Sequence, residues 1–291
     1  MRIQDVLSAV LAVGLAAPAL AQDTPAEGGG EAAPMDAAPM EEMTSGDMSG
    51  DSMVLKQGQV GVGAALGIGV DKSAVGKILG LKLGGAYGVI ENLQAGLMLD
   101  VLLKHPADDA ALSGVALGGQ YQVMEFLAPT LDINIVRVVP SATIGGMVVT
   151  GDAEYKVAIG LSAPLKYKVS DAFALKALHD VCLRPGTAQS VLGTPLIYFG
   201  ADPLKKGFAL AVGSELMAGD AVKLGLDLAI VLPDFKSDLK QVPLVLKGAY
   251  TTGAMDVGLA FGFDNLTPPD VTGAPGAADS RYIALFFGMA I

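Results

Sequence analysis

Twelve polar side chains in this chain share a position in the local pattern: Lys82, Asp100, Gln120, Asp132, Glu154, Lys156, Lys166, Lys176, Lys223, Asp227, Lys247 and Asp256. Each stands on the parity opposite to the apolar residues of its own alternating run, and successive side chains of a β-strand point to opposite faces. The spacing gathers charge on one face of a sheet and hydrocarbon on the other. A charged face can line a passage and tune which ions or solutes cross it. It can equally close on itself as a set of ion pairs, and both readings stand at this level. The surplus of lysine favours anions while acidic loops oppose them, so no selectivity is assigned.

Other reactive residues offer less. A single cysteine, Cys182, and two histidines far apart, His105 and His179, make no metal or redox set and no disulfide framework. A hydrolytic triad needs Ser, His and a carboxylate converging, and no Ser lies at strand spacing from either His. Both histidines read as solvated or interfacial. No catalytic, cofactor-binding or metal-binding residue follows, and the chain is expected not to be an enzyme. Met35, Met40, Met43, Met48 and Met53 carry soft thioethers suited to Cu(I), but in an Ala/Pro-rich stretch they read as filler.

The elements that place the charges are strands. From Gln59 to Val70, Val60, Val62, Ala64, Leu66, Ile68 and Val70 alternate with little but Gly and Ala. Similar runs follow at Leu79–Val89, Leu93–Leu103, Val115–Val123, Leu131–Ile135, Tyr155–Val169, Phe173–Leu178, Phe208–Val212, Val222–Leu232, Leu244–Tyr250, Met255–Phe263 and Tyr282–Ile291. Short connections such as Val169-Ser-Asp-Ala, Met217-Ala-Gly-Asp and Thr251-Thr-Gly-Ala alternate with the long segments Lys104–Ser113, Pro140–Asp152, Arg184–Lys206, Pro233–Gln241 and Asp264–Ser280. The count is about twelve strands, ten or fourteen being the neighbouring even numbers. Ser190–Gly200 is placed in a loop, because counting it alone would make the number odd.

Residues 1–21, with the apolar run Val6–Ala17 and the small residues Ala19-Leu20-Ala21, read as a secretory signal peptide. Residues 22–53 are acidic and rich in Ala, Pro and Met, which predicts a disordered linker. The barrel is expected from residue 54 to 291. Net charge is −11 with a pI near 4.5 and no basic stripe, so nucleic acid is excluded as a partner. Mean hydropathy is +0.50, yet no stretch after the leader is long enough for a spanning helix.

Tyr87-Gly-Val-Ile-Glu-Asn-Leu-Gln-Ala-Gly-Leu and Tyr167-Lys-Val-Ser-Asp-Ala-Phe-Ala-Leu join an aromatic strand end, a brief polar turn and a new alternating strand. The pattern resembles bacterial outer-membrane β-barrels of the porin-like type over about residues 55–291. The resemblance is architectural and names no subfamily. Two departures stand out: the chain has no Trp, and its last residues, Phe286-Phe287-Gly288-Met289-Ala290-Ile291, end without an aromatic. Tyr87, Tyr121, Tyr155, Tyr167, Tyr250, Phe263 and Tyr282 are expected to form a partial interfacial girdle.

The fold expected is all-β, an up-and-down antiparallel transmembrane barrel whose apolar parity meets lipid, because every backbone group in lipid must be satisfied internally. The resemblance implies a passive diffusion channel in the cell outer membrane, with a periplasmic linker and with lipid, the assembly machinery and small solutes as partners. The oligomeric state is left open. Two alternatives remain: a plugged structural or adhesion barrel, and a soluble exported barrel holding an apolar ligand.

Overall fold

Alternation of branched apolar residues with Gly, Ala and charge gives extended chain, because β-branched and aromatic side chains pack well on a pleated surface. In the computed structural model the described residues form sixteen strands: β1 (Val60–Gly69), β2 (Leu79–Ile90), β3 (Leu93–Lys104), β4 (Ala111–Tyr121), β5 (Thr130–Val138), β6 (Ser141–Ile144), β7 (Met147–Thr150), β8 (Glu154–Ser162), β9 (Leu165–Ser170), β10 (Phe173–Ala177), β11 (Ile197–Gly200), β12 (Lys206–Ala218), β13 (Val222–Pro233), β14 (Leu244–Thr252), β15 (Met255–Phe263) and β16 (Arg281–Ala290). The structure describes residues 52–70, 75–105, 111–138, 141–144, 147–179, 197–200, 206–237, 240–252, 255–266 and 281–291. The signal peptide, nearly all of the linker, and Cys182 lie outside the described residues. No helix occurs among the described residues.

Fourteen of the strands form one antiparallel sheet, and β6 with β7 makes a separate hairpin. Neighbours in sequence pair from β1 to β5 and from β12 to β16, and β16 pairs with β1 from Gly61↔Ala290 to Gly69↔Tyr282. On the far side β5 pairs with β8, β8 with β11, and β11 with β12, so the ladder returns to its start. Along one edge of β12, β10 takes Val212–Leu216 and β11 takes Lys206–Phe208, while β13 holds the other edge. The short strands β10 and β11 therefore share one position of the barrel. Likewise β9 continues the course of β8, pairing with β10 on one side and bridging Leu127 on the other. Fourteen strands thus fill twelve positions.

This arrangement corrects three expectations. Ile197–Gly200 is a strand, and it keeps the count even because it completes the position begun by β10. The long run from Glu154 to Val169 is broken at Ala163-Pro164, where proline has no N–H to give to the ladder. The hairpin β6–β7 also occupies what reads in sequence as the loop Pro140–Asp152.

Within the barrel, the tight connections β2–β3, β9–β10 and β12–β13 lie at one end, the turn end. There Asn92 sits at φ 66° in the two-residue turn between β2 and β3, a conformation that Asn tolerates better than most residues. Gly219 at φ 72° turns β12 into β13 at the same end.

Burial separates the two parities. Leu117, Leu161, Leu226, Leu246, Leu259 and Leu285 stand exposed on the outside, Leu259 at 58%, whereas Asp100 and Asp227 are at 0%. Val62, Leu66 and Ile68 are exposed as expected, while Val60 is half-buried beside the seam. Leu99 is buried although its parity is the apolar one; it lies next to a bulge between Asp100 and Val101.

Inside, Ala211, Ala229, Val245, Ala260, Ala284 and Tyr282 pack together from β12 to β16. Tyr282 is therefore not part of an interfacial girdle. Its ring lies on the inner face over Gly262, where any Cβ would collide with it. Tyr87, Tyr121, Tyr167 and Tyr250 do stand exposed at the turn end, and Tyr155 toward the opposite end. Phe263 is half-buried and meets Phe261 edge-on at 5.1 Å.

Candidate functional site: a charged inner wall

Strand register decides which charges meet. Lys166, Lys176, Gly213 and Asp227 stand side by side on β9, β10, β12 and β13. Two lysines directly opposite one another repel. The neighbouring row relieves this, because Glu215 on β12 forms ion pairs with Lys166 at 3.6 Å and with Lys176 at 3.8 Å.

Asp227 is the centre of the wall. Lys247 reaches it from β14 at 2.6 Å, Lys176 at 3.2 Å, and His179 Nε2–H donates to its Oδ1 at 2.7 Å. Lys176 can span the gap only because the residue between them is Gly213, where a Cβ would collide with the Asp227 carboxylate. Gly225 plays a milder version of this part between Glu215 and Lys247, its virtual Cβ meeting Lys247 at 3.5 Å. Further round, Lys223 of β13 donates to Asp256 of β15 at 3.2 Å.

The opposite wall carries fewer charges. Lys82 and Asp100 are direct partners across β2 and β3, and both are buried. Ser113 Oγ–H donates to the Asp100 carbonyl at 2.9 Å. The Asp132 carboxylate lies over Gly118, leaving no room there for a Cβ. Gln120 accepts from Gln94 at 2.7 Å. Glu154 and Lys156 pair with each other on β8, Glu154 being exposed at the loop end.

All twelve residues singled out by parity thus fall on one side of the sheet wall, but they do not form one site. Six of them, with His179 and Glu215, make the wall from β9 to β15; the other six lie apart on β2 to β8. His179 corrects a sequence reading: it is an ion-network member, not a solvated residue. The signal for it is distributed, since only the register of β10 against β12 and β13 brings it to Asp227. Glu215 was missed because the sequence run Phe208–Val212 stops short of it, whereas β12 continues to Ala218.

A closed ladder with hydrocarbon outside and ion pairs inside inverts the order of a water-soluble barrel. The fold is a β-barrel of the outer-membrane type.

No protein-family model matches the sequence, and no curated protein matches it. Among solved structures, the NanC porin is similar at 6% identity with a TM-score of 0.43, covering 79% of this chain and 98% of its own. The translocator domain of autotransporter NalP from Neisseria meningitidis is similar at 12% identity and TM-score 0.43, covering 80% and 87%. LpxR from Salmonella typhimurium shows 8% identity and TM-score 0.45, covering 79% and 99%. These likenesses concern the barrel alone.

Proposed function

We propose that the chain is an outer-membrane barrel that lets small solutes or ions pass through a narrow, charge-lined lumen, without chemistry on what passes. The observation that carries the reading is the wall from β9 to β15, where Lys166, Lys176, Lys223 and Lys247 face inward with side chains between 10% and 22% exposed. Groups so placed keep contact with water while lining the interior. The small inner residues Gly63, Gly67, Gly84 and Ala65 leave volume opposite them, and a twelve-position barrel is wider than side chains alone fill. In this reading the barrel inserts through the outer-membrane assembly machinery, with the turn end and the linker on the periplasmic side. Folded protein in planar bilayers is expected to give discrete conductance steps; a folded, inserted protein with none would sink the reading.

A second reading has its own support. Asp227 is fully buried and Tyr282 is 1% exposed, so part of the interior is closed by ion pairs and an aromatic ring. A barrel closed throughout would serve as a membrane-anchored scaffold for its long loops. The same bilayer measurement separates the two. A soluble barrel holding an apolar ligand is not retained, because the apolar parity faces outward and the interior is charged.

A further inference from the structure

The chain just before β1 does not simply lead into the barrel. Its residues cross the inside of the wall at the turn end, strand by strand. Ser52 Oγ–H and Met53 N–H both donate to Oε1 of Gln122, which follows β4, each at 2.9 Å. Leu55 N–H donates to Gln94 Oε1 of β3 at 3.0 Å. The Lys56 carbonyl lies against Gly88 of β2, where a Cβ would overlap it. The Leu55 side chain rests 3.3 Å from the place a Cβ on Gly61 of β1 would take. Val54 is only 8% exposed.

Three features show that the wall is shaped for this segment. Gln94, Gln120 and Gln122 share the inner parity, and Gln94 is fixed by its own bond to Gln120. The side-chain carbonyls of Gln122 and Gln94 accept from the N–H groups of alternate residues, Met53 and Leu55, which is how an extended chain is read without regard to its side chains. Gly88 and Gly61 leave the space through which its backbone and Leu55 pass.

We propose that the turn-end mouth is a binding site for an extended peptide, occupied by the chain's own residues 52–58, and that this strap narrows the passage from inside. Its docking stands on the bonds above; its closing role rests on the passage reading. The site selects backbone N–H groups at a spacing of two residues, an apolar side chain over Gly61 and a backbone carbonyl over Gly88, so its occupant is a segment of this chain and not a solute.

The test uses the full chain with Cys182→Ser, carrying a reporter cysteine at Val54 on the strap or at Met98, on the inner parity of β3 beyond Gln94. Gln94→Leu with Gln122→Leu removes both acceptors, Gly88→Ala displaces the Lys56 carbonyl, and Gln122→Glu keeps the acceptor for Ser52 and Met53 without touching the Gln94–Gln120 bond. A membrane-impermeant maleimide is expected to label both reporters about tenfold faster in the Leu and Ala variants, the order expected when the three hydrogen bonds between strap and wall are lost. The Glu variant should label at the parental rate. Equal labelling of Val54→Cys in all variants would overturn the docking. Faster labelling of Val54→Cys without any change at Met98→Cys would overturn the closure, since any route from the loop end is common to every variant. Conductance of the same proteins judges the passage separately: its absence from every variant sinks that reading and leaves the labelling result to decide the strap.

Discussion

Gly213 and Asp227 are direct partners across β12 and β13, and the Asp227 carboxylate occupies the space that a side chain on Gly213 would need. The glycine is thus a condition for the ion network, since the same space lets Lys176 and His179 reach Asp227. Gly213→Leu is expected to lower stability by about 1–3 kcal/mol through overpacking. Urea unfolding in detergent or vesicles checks this, and an unchanged midpoint would show that the carboxylate has room to move.

Asp227→Asn leaves Lys176 and Lys247 facing the interior without their shared anion. Removing one partner from a buried ion pair costs about 3–5 kcal/mol, mostly because the remaining charge is stranded. Adding Lys247→Met should recover about 1–3 kcal/mol of this as a coupling energy. A double-mutant cycle on unfolding free energies measures it; strict additivity would mean that the 2.6 Å contact carries no weight.

Neighbouring residues on β13 should respond in opposite ways. Leu226 is exposed on the outer face, so Leu226→Lys places an ammonium in lipid and is expected to cost about 2–4 kcal/mol. Gly225→Ala points inward, where a Cβ meets Lys247 and Ser214 at 3.5–3.7 Å, ordinary contact, and should stay within about 0.5 kcal/mol. Equal effects in lipid vesicles would contradict the assignment of faces.

Tyr282 fills the interior over Gly262 and anchors the cluster of Ala211, Ala229, Val245, Ala260 and Ala284. Tyr282→Ala is expected to destabilise the barrel by about 3 kcal/mol, as large aromatic truncations do. It should also enlarge the conductance step if that part of the lumen limits the passage. A larger ion current at unchanged selectivity is the outcome to look for in bilayer recordings.

The barrel was legible in sequence because strand parity is a local property: each of Lys82, Lys156 and Asp227 is placed inward by its immediate neighbours. The turns were legible for the same reason, Asn92 and Gly219 being residues that suit positive φ. What escaped depends on register between distant strands. His179 and Glu215 join the network only through the pairing of β10, β12 and β13, which no single run encodes. Ile197–Gly200 escaped because four residues carry little periodicity and are fixed by pairing to β8 and β12. Tyr282 was misplaced because proximity to a strand end suggests a girdle, whereas its even parity matches inward-facing Ala284 and puts it inside. Ser52 and Met53 looked like the end of a linker; only Gln122, far along the chain, shows them to be held.

The most direct test of the central claim, that the apolar parity meets lipid and the bare parity meets the lumen, is a spin-label scan of β1 in lipid vesicles. Single cysteines replace residues 62 to 68 one at a time in a Cys182→Ser chain. Labels at Val62, Leu66 and Ile68 should be relaxed by lipid-soluble oxygen, and labels at Gly63, Ala65 and Gly67 should be shielded from it, with a period of two residues. A reversed phase, or no alternation at all, would contradict the account.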